Sequence, residues 1–282
     1  MKRTIIVLML AISIAAQGQT SEISVSLGGG ISTNFSQGEV KNQIRPMGTL
    51  NVGYAILGNV KDSLLLGFRT GLNVSYSEIG LAKNLTDSFT NYDYYGHQMD
   101  YKVKGDMQYR HQQINLELPI MFALRAKGFY FNIGCKVMST VWNQYKQTIS
   151  NADVSAYYPD YGVTVDDKVV TGLLSEEQKG KVSLPYLTIA VSTEIGYLWK
   201  IKSGHSLGFD VFVDYAPWGF CYPTGKKERL IEVAPIVNDC ETPVAQVTVN
   251  PLYELSAVKY NYFTAGVKLV YAFSVKGGKK AK

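Results

Sequence analysis

The sequence predicts an all-β protein: an eight-stranded antiparallel transmembrane up-and-down β-barrel with short periplasmic turns and long extracellular loops. Three observations predict it. Eight segments alternate apolar and polar residues with period two, the faces so defined agree from segment to segment, and the connections alternate short and long.

The chain starts with Met1-Lys2-Arg3, an apolar run from Ile5 to Ala16 and small residues up to Gly18, the pattern of a secretory signal peptide over residues 1–18. The run is well short of the roughly 20 residues that a spanning helix needs. Residues 19–275 then form one expected barrel domain, and residues 276–282 a basic periplasmic tail.

Segment 22–33 sends Ile23, Val25, Leu27 and Ile31 to one side and Ser24, Ser26, Gly28 and Gly30 to the other. Segment 45–56 sets Leu50, Val52 and Tyr54 against Thr49, Asn51 and Gly53, and segment 63–78 sets Leu66, Leu72 and Val74 against Arg69 and Asn73. In 109–125 and 128–145, Leu116, Leu118, Ile120, Phe131, Ile133 and Cys135 oppose Asn115, Glu117, Asn132 and Lys136. Segments 183–200, 205–216 and 257–274 present Ile189, Val191, Phe209, Val211, Val267 and Leu269, backed by Ser192, Glu194, Asp210, Asp214, Thr264 and Lys268. Every mid-strand charge falls on the second face. That face is expected to line the interior while the apolar one meets lipid. The short connections are 58–62, Ala126-Lys127 and 201–204; the long ones are 34–44, 79–108, 146–182 and 217–256. Tyr54, Phe129, Trp199 and Tyr271 at one end of the band, with Tyr76, Trp142, Tyr145 and Tyr215 at the other, read as two aromatic girdles.

Counted from the short-turn end, Arg69, Glu117, Lys136, Glu194, Asp210, Asp214 and Lys268 stand at similar heights and are expected to form one layer of lumen charge. A turn at Ala126-Lys127 would place Glu117 opposite Lys136. Eight strands leave a lumen only just wide enough for side chains, so the layer reads as a plug in preference to a gate or ion path.

The chain has 28 basic and 23 acidic residues, and the basic excess gathers in Lys276, Lys279, Lys280 and Lys282. A nearly neutral body with no basic stripe excludes a nucleic-acid partner. The stretch "LGGGIST" lacks the strand-to-helix setting of a nucleotide loop, and no metal or cofactor constellation is found. Cys135 reads as a small apolar residue, whereas the oxidising compartment implied by export would let Cys221 and Cys240 close a loop disulfide.

Two functions compete, with a small diffusion pore the less favoured third. The first is a non-enzymatic structural or binding barrel whose Tyr-rich external loops, "TNYDYYGHQMDYKVKGDMQYR" among them, form a contact surface. The second is an outer-membrane hydrolase in which His97, near Asp93 and Asp100, joins His111 in an acid-base group. No nucleophile stands at a recognisable spacing, which favours the first.

The last strand, "TAGVKLVYAF", resembles the insertion signal of outer-membrane barrels through Thr264, Gly266, Leu269, Tyr271 and Phe273, except that "SVKGGKKAK" follows it. The resemblance implies the barrel-assembly machinery as a partner alongside outer-membrane lipid. The stretch "INLELPIMFALRAKGFYFNIGCKV" (114–137) resembles the central hairpin of the PorT-like outer-membrane β-barrel domain of Bacteroidetes. That likeness implies the small-barrel architecture of OmpA and OmpX, the outer membrane of a Gram-negative bacterium, and, as an alternative role, a component of type IX secretion with an envelope or secretion-system protein as partner.

Overall fold

The computed structural model describes residues 19–35, 40–61, 63–93, 95–182, 187–202, 204–217, 231–234, 246–251 and 261–275. The signal peptide, the basic tail, Cys221 and Cys240 lie outside the described residues.

The strands are β1 (Gln19–Asn34), β2 (Lys41–Gln43), β3 (Arg45–Lys61), β4 (Leu64–Tyr92), β5 (Gln98–Ala126), β6 (Phe129–Tyr158), β7 (Val163–Asp166), β8 (Gln178–Gly180), β9 (Thr188–Lys202), β10 (His205–Ala216), β11 (Ile231–Ala234), β12 (Gln246–Val249) and β13 (Tyr262–Val275). Helix α1 covers Lys168–Ser175. Eight strands close a ring in the order β1, β3, β4, β5, β6, β9, β10 and β13, with every neighbour antiparallel and β13 returning to β1. Closure leaves no edge within the barrel wall. No described helix is long and apolar enough to cross a membrane, which does not bear on crossing by strands.

Alternation along each wall strand gives the exterior an apolar belt: Leu27, Val52, Leu72, Leu118, Ile195, Val211 and Leu269 are all exposed. The opposite phase is buried and polar: Ser26, Asn51, Asn73, Glu117, Ser192, Asp210 and Thr264. A soluble protein buries the first set and exposes the second, so this barrel is built inside out.

Two corrections to the sequence reading concern β5 and β6. The hairpin turn is Lys127-Gly128, not Ala126-Lys127, and both residues have positive φ, 49° and 94°. A two-residue turn whose twist matches the strands needs φ > 0 at both central positions, and a glycine takes one of them at no cost. Arg125 therefore pairs with Tyr130, Glu117 with Met138 and Pro119 with Lys136. A register shift at Ile114/Asn115 then leaves Val141 as an extra residue. It turns Tyr145 inward, where the ring stacks on Tyr109, so Tyr145 leaves the girdle.

The second correction is that the expected long loops 79–108 and 146–182 are mostly strand. β4, β5 and β6 run 29, 29 and 30 residues, against 12 for β10 and 14 for β13. Their distal halves form a sheet extended by β7. Its inner face, including Leu81, Leu85, Val103, Met107, Ile149 and Val154, packs with Val170 and Leu174 of α1 and with Ile231 and Val249 of the β11–β12 hairpin. The result is a lobe with its own hydrophobic core. Asp167 fixes the start of α1, its carboxylate accepting from the backbone N–H of Val169 (3.1 Å) and Val170 (2.9 Å) and from the Tyr101 hydroxyl (3.0 Å).

Candidate functional site: a charged lumen under an ordered lobe

All seven charges expected in the lumen are buried there, each at most 4 % exposed. They form two clusters, not one layer. In the first, Glu194 on β9 takes Arg69 Nη1 from β4 at 2.5 Å on one carboxylate oxygen and Lys268 from β13 on the other. Asn132 donates to the same carboxylate at 2.9 Å, and Arg69 reaches Asn51 Oδ1 at 3.1 Å. In the second, Lys136 on β6 lies 2.7 Å from Asp214 Oδ2 and 3.7 Å from Glu117 Oε2. Asn73 and Ser75 donate to Glu117, while Ser192 (2.5 Å) and Thr264 (3.3 Å) donate to Asp214. Buried charges are tolerated when each is paired and its remaining lone pairs are satisfied; the groups around Glu194 and Lys136 are paired in this way, whereas Asp210 keeps one carboxylate oxygen, Oδ1, buried without a hydrogen-bond partner.

Strand β10 explains the split. Asp210, Phe212 and Asp214 point inward in succession, so an aromatic ring separates the two carboxylates. Lys268 lies 4.6 Å and Lys136 5.7 Å from the centre of the Phe212 ring, which offers its negative face to both clusters. Asp210 accepts from the Tyr130 hydroxyl at 2.7 Å. Gly196 makes room for that pair, since a Cβ there would come within 2.6 Å of the Tyr130 ring and 2.7 Å of Asp210 Cβ.

Several lumen residues were missed at the sequence level. Arg125 sits 4.3 Å above the Tyr130 ring, bonds Asn132 at 3.1 Å and meets Glu22 at 3.3 Å. Tyr130, Arg125 and Phe212 share the inward phase with Asn132, so strand parity could have placed them; Tyr130 and Phe212 carry no charge, and Arg125 stands at the strand end, outside the mid-strand charges. Below them, Tyr130, Leu198, Val270 and Ala272 form an apolar cluster at the short-turn end, and Ala55, Leu57 and Ala123 form another. Among the described residues, buried side chains thus stand along the lumen from its turns to the lobe core.

The expected acid-base group is not assembled. His97 sits at the tip of the β4–β5 hairpin, where its ring contacts Tyr161 (Nε2 to hydroxyl, 2.8 Å) and Asp160 (Nδ1 to Oδ2, 3.3 Å) from the β6–β7 turn. Asp93 accepts from the His97 backbone N–H, and Asp100 is held by Thr90 and Gln98. His111 lies far down β5, wholly buried and above the belt, where burial pushes its pKa down to about 4. Sequence proximity misled here because a two-stranded ribbon moves residues 14 positions apart to opposite ends of the lobe. The His97 contacts clip two hairpin tips together.

Thr264 and Gly266 point into the lumen and Leu269, Tyr271 and Phe273 point outward, all on the strand that closes the ring. Among the described residues no group of three His, Cys, Asp or Glu could hold a metal ion.

No family model and no curated protein matches the chain. Solved structures similar to it at low identity include three outer-membrane or channel proteins. Ail, the attachment invasion locus protein of Yersinia pestis, is 11 % identical with a TM-score of 0.28, over 90 % of this chain and 99 % of that one. The translocator domain of the autotransporter NalP from Neisseria meningitidis gives 8 % and 0.22, over 96 % and 95 %. The CymD monoaromatic hydrocarbon channel gives 7 % and 0.21, over 96 % and 92 %. Scores this low carry no functional argument, and the ring of eight strands rests on its own register.

Proposed function

We propose that this chain is a non-enzymatic outer-membrane barrel whose plugged lumen serves as an anchor and whose external lobe is the working surface, a binding or interaction module. One observation carries the reading. Along the outward face of β5, Lys102, Lys104, Asp106, Gln108, Arg110 and Gln112 give way to Ile114, Leu116, Leu118, Ile120, Phe122 and Leu124, with no break in the strand. The inward face changes the other way, from Tyr101, Val103, Met107 and Tyr109 to Gln113, Asn115 and Glu117. A single strand whose two faces exchange character at one height passes from water into hydrocarbon there.

The lobe stands on the extracellular side in this proposal, and the three short turns face the periplasm. Outer-membrane lipid surrounds the belt, and the barrel-assembly machinery reads β13. Membership of the PorT-like family, with its type IX secretion role, rests on the 114–137 hairpin and remains part of the proposal. The test is twofold. The folded protein should migrate anomalously on unheated gels, and planar bilayers holding it should show no steady current, because the ion pairs and aromatic rings occupy the lumen. Large, steady conductance from the unmodified protein would make it a pore instead.

A further inference from the structure

Just above the belt, the outside of the wall carries a cleft of about 110 Å³ lined by Arg110, Gln112, Gln144, Tyr145, Lys146 and Lys179. Its volume is far below the several hundred Å³ of a small-molecule site, and Gln112 and Gln144 of its lining stand next along β5 and β6 to the paired Ile114 and Trp142. Strand register builds it: Arg110 pairs with Lys146 across β5 and β6, and Lys146 with Lys179 across β6 and β8, so three cations share one outward face.

The charges there do not balance. Glu78, itself 1 % exposed, takes Arg110 through both Nε and Nη2 at 2.5 Å and Arg45 Nε at 3.5 Å. Glu177 takes both Lys146 and Lys179. Each carboxylate therefore serves two cations, and four positive charges face two negative ones. The cationic side chains of Arg110, Lys146 and Lys179 are still about half exposed, at 47 %, 49 % and 57 %. They keep donors for a further acceptor.

Height decides what that acceptor is. Four residues separate Ile114 from Arg110, roughly 13 Å of strand, and a tilt of about 40° brings this to roughly 10 Å above the belt. The headgroup zone of a bilayer begins at the belt and is some 5 to 7 Å deep, within reach of lysine and arginine side chains pointing back towards it. We propose that this cleft binds the phosphate of an outer-leaflet lipid headgroup, with Arg110, Lys146 and Lys179 as its donors and the acyl chains lying along Ile114 and Trp142. The inference rests on the membrane reading given above.

The test uses the full chain refolded into phosphatidylcholine nanodiscs containing phosphatidic acid, with the lipid retained after detergent release counted by native mass spectrometry. The parent should retain phosphatidic acid over phosphatidylcholine by roughly tenfold, and Lys146→Gln with Lys179→Gln should remove most of that preference. Lys102→Gln with Lys104→Gln, the same charge change higher on the same face, should keep it. Equal retention of the two lipids, loss of preference in both double variants, or competition by millimolar inorganic phosphate without lipid preference would each overturn the site. Heat-modifiable mobility of the same samples separates the two claims. A protein that inserts and is heat-modifiable but shows no preference defeats the lipid site alone, whereas one that fails to enter the bilayer defeats the membrane reading and the site with it.

Discussion

The lower and upper halves of β5 are the same strand with the same twist and the same alternation, yet they solve opposite problems. Below Gln112 the outward residues are apolar and the inward ones are polar down to Glu117, with buried Met121 and Ala123 nearer the short turn; above it the outward residues are polar and the inward ones mainly apolar. The strands β10 and β13 lack the upper half altogether and stop near the top of the belt. Period two therefore records only that a residue faces in or out. Which face is apolar records the solvent on each side, and the point of exchange marks the membrane surface. In the belt, burial of polar groups is tolerated because paired charges and amides satisfy one another; in the lobe, ordinary hydrophobic burial takes over.

The largest expected effect lies in the belt half. Lys136→Met leaves Asp214 and Glu117 facing each other without their shared cation, and breaking a buried pair from one side costs about 3 to 5 kcal/mol, less where water enters. Denaturant unfolding in lipid vesicles reads it. Because Lys136 is closer to Asp214 than to Glu117, a double-mutant cycle should give stronger coupling to Asp214. The reverse order would put the register that links β6 to β10 through β9 in error.

Next in size is a matched pair on one face. Leu118→Arg, near the middle of the belt, should cost about 2 to 4 kcal/mol, whereas Gln108→Arg in the lobe should stay within about 0.5 kcal/mol. Equal costs would erase the distinction between the halves.

His111 sharpens the boundary. Its folded pKa of about 4, set by burial and opposed by a hydrogen bond to Asn143, lies below the 6.5 of an unperturbed histidine. As pH falls, the unfolded chain takes the proton first. The stability of the lobe is thus full above about pH 6.5 and falls by roughly 3 kcal/mol as pH drops to about 4. His111→Gln should flatten that slope in amide exchange of β4 to β6, and a slope that survives the change would assign it elsewhere.

Much of this architecture was legible because a membrane belt is a strong constraint: apolar residues must face out over the whole height of every wall strand, so phases agree around the ring. The lobe was illegible for the complementary reason. Residues 79–108 alternate as well as the belt does, but with Lys102, Lys104 and Gln108 outside and Val103 and Met107 inside, the exchanged pattern read as loop when one assignment of faces was imposed on the whole chain. The lumen charges were findable by parity, whereas their pairing was not, since it depends on a turn shifted by one residue to Lys127-Gly128 and on the Phe212 ring between Asp210 and Asp214. A small destabilisation is also expected in the lobe. Asp167→Ala removes the cap of α1 and should cost about 1 kcal/mol, seen as faster exchange in 168–175 with the barrel's heat-modifiable mobility unchanged.

The most direct test of the exchange places a nitroxide in turn at positions 102, 104, 106, 108, 110, 112, 114, 116, 118, 120, 122 and 124 of the protein in bilayers. Collision rates with oxygen, which favours hydrocarbon, and with a water-soluble nickel complex then report the solvent outside each site. We predict nickel dominance from 102 to 110, oxygen dominance from 116 to 124, and a crossover between 112 and 114. A uniform profile along the whole face, or a crossover deep inside either half, would contradict the account.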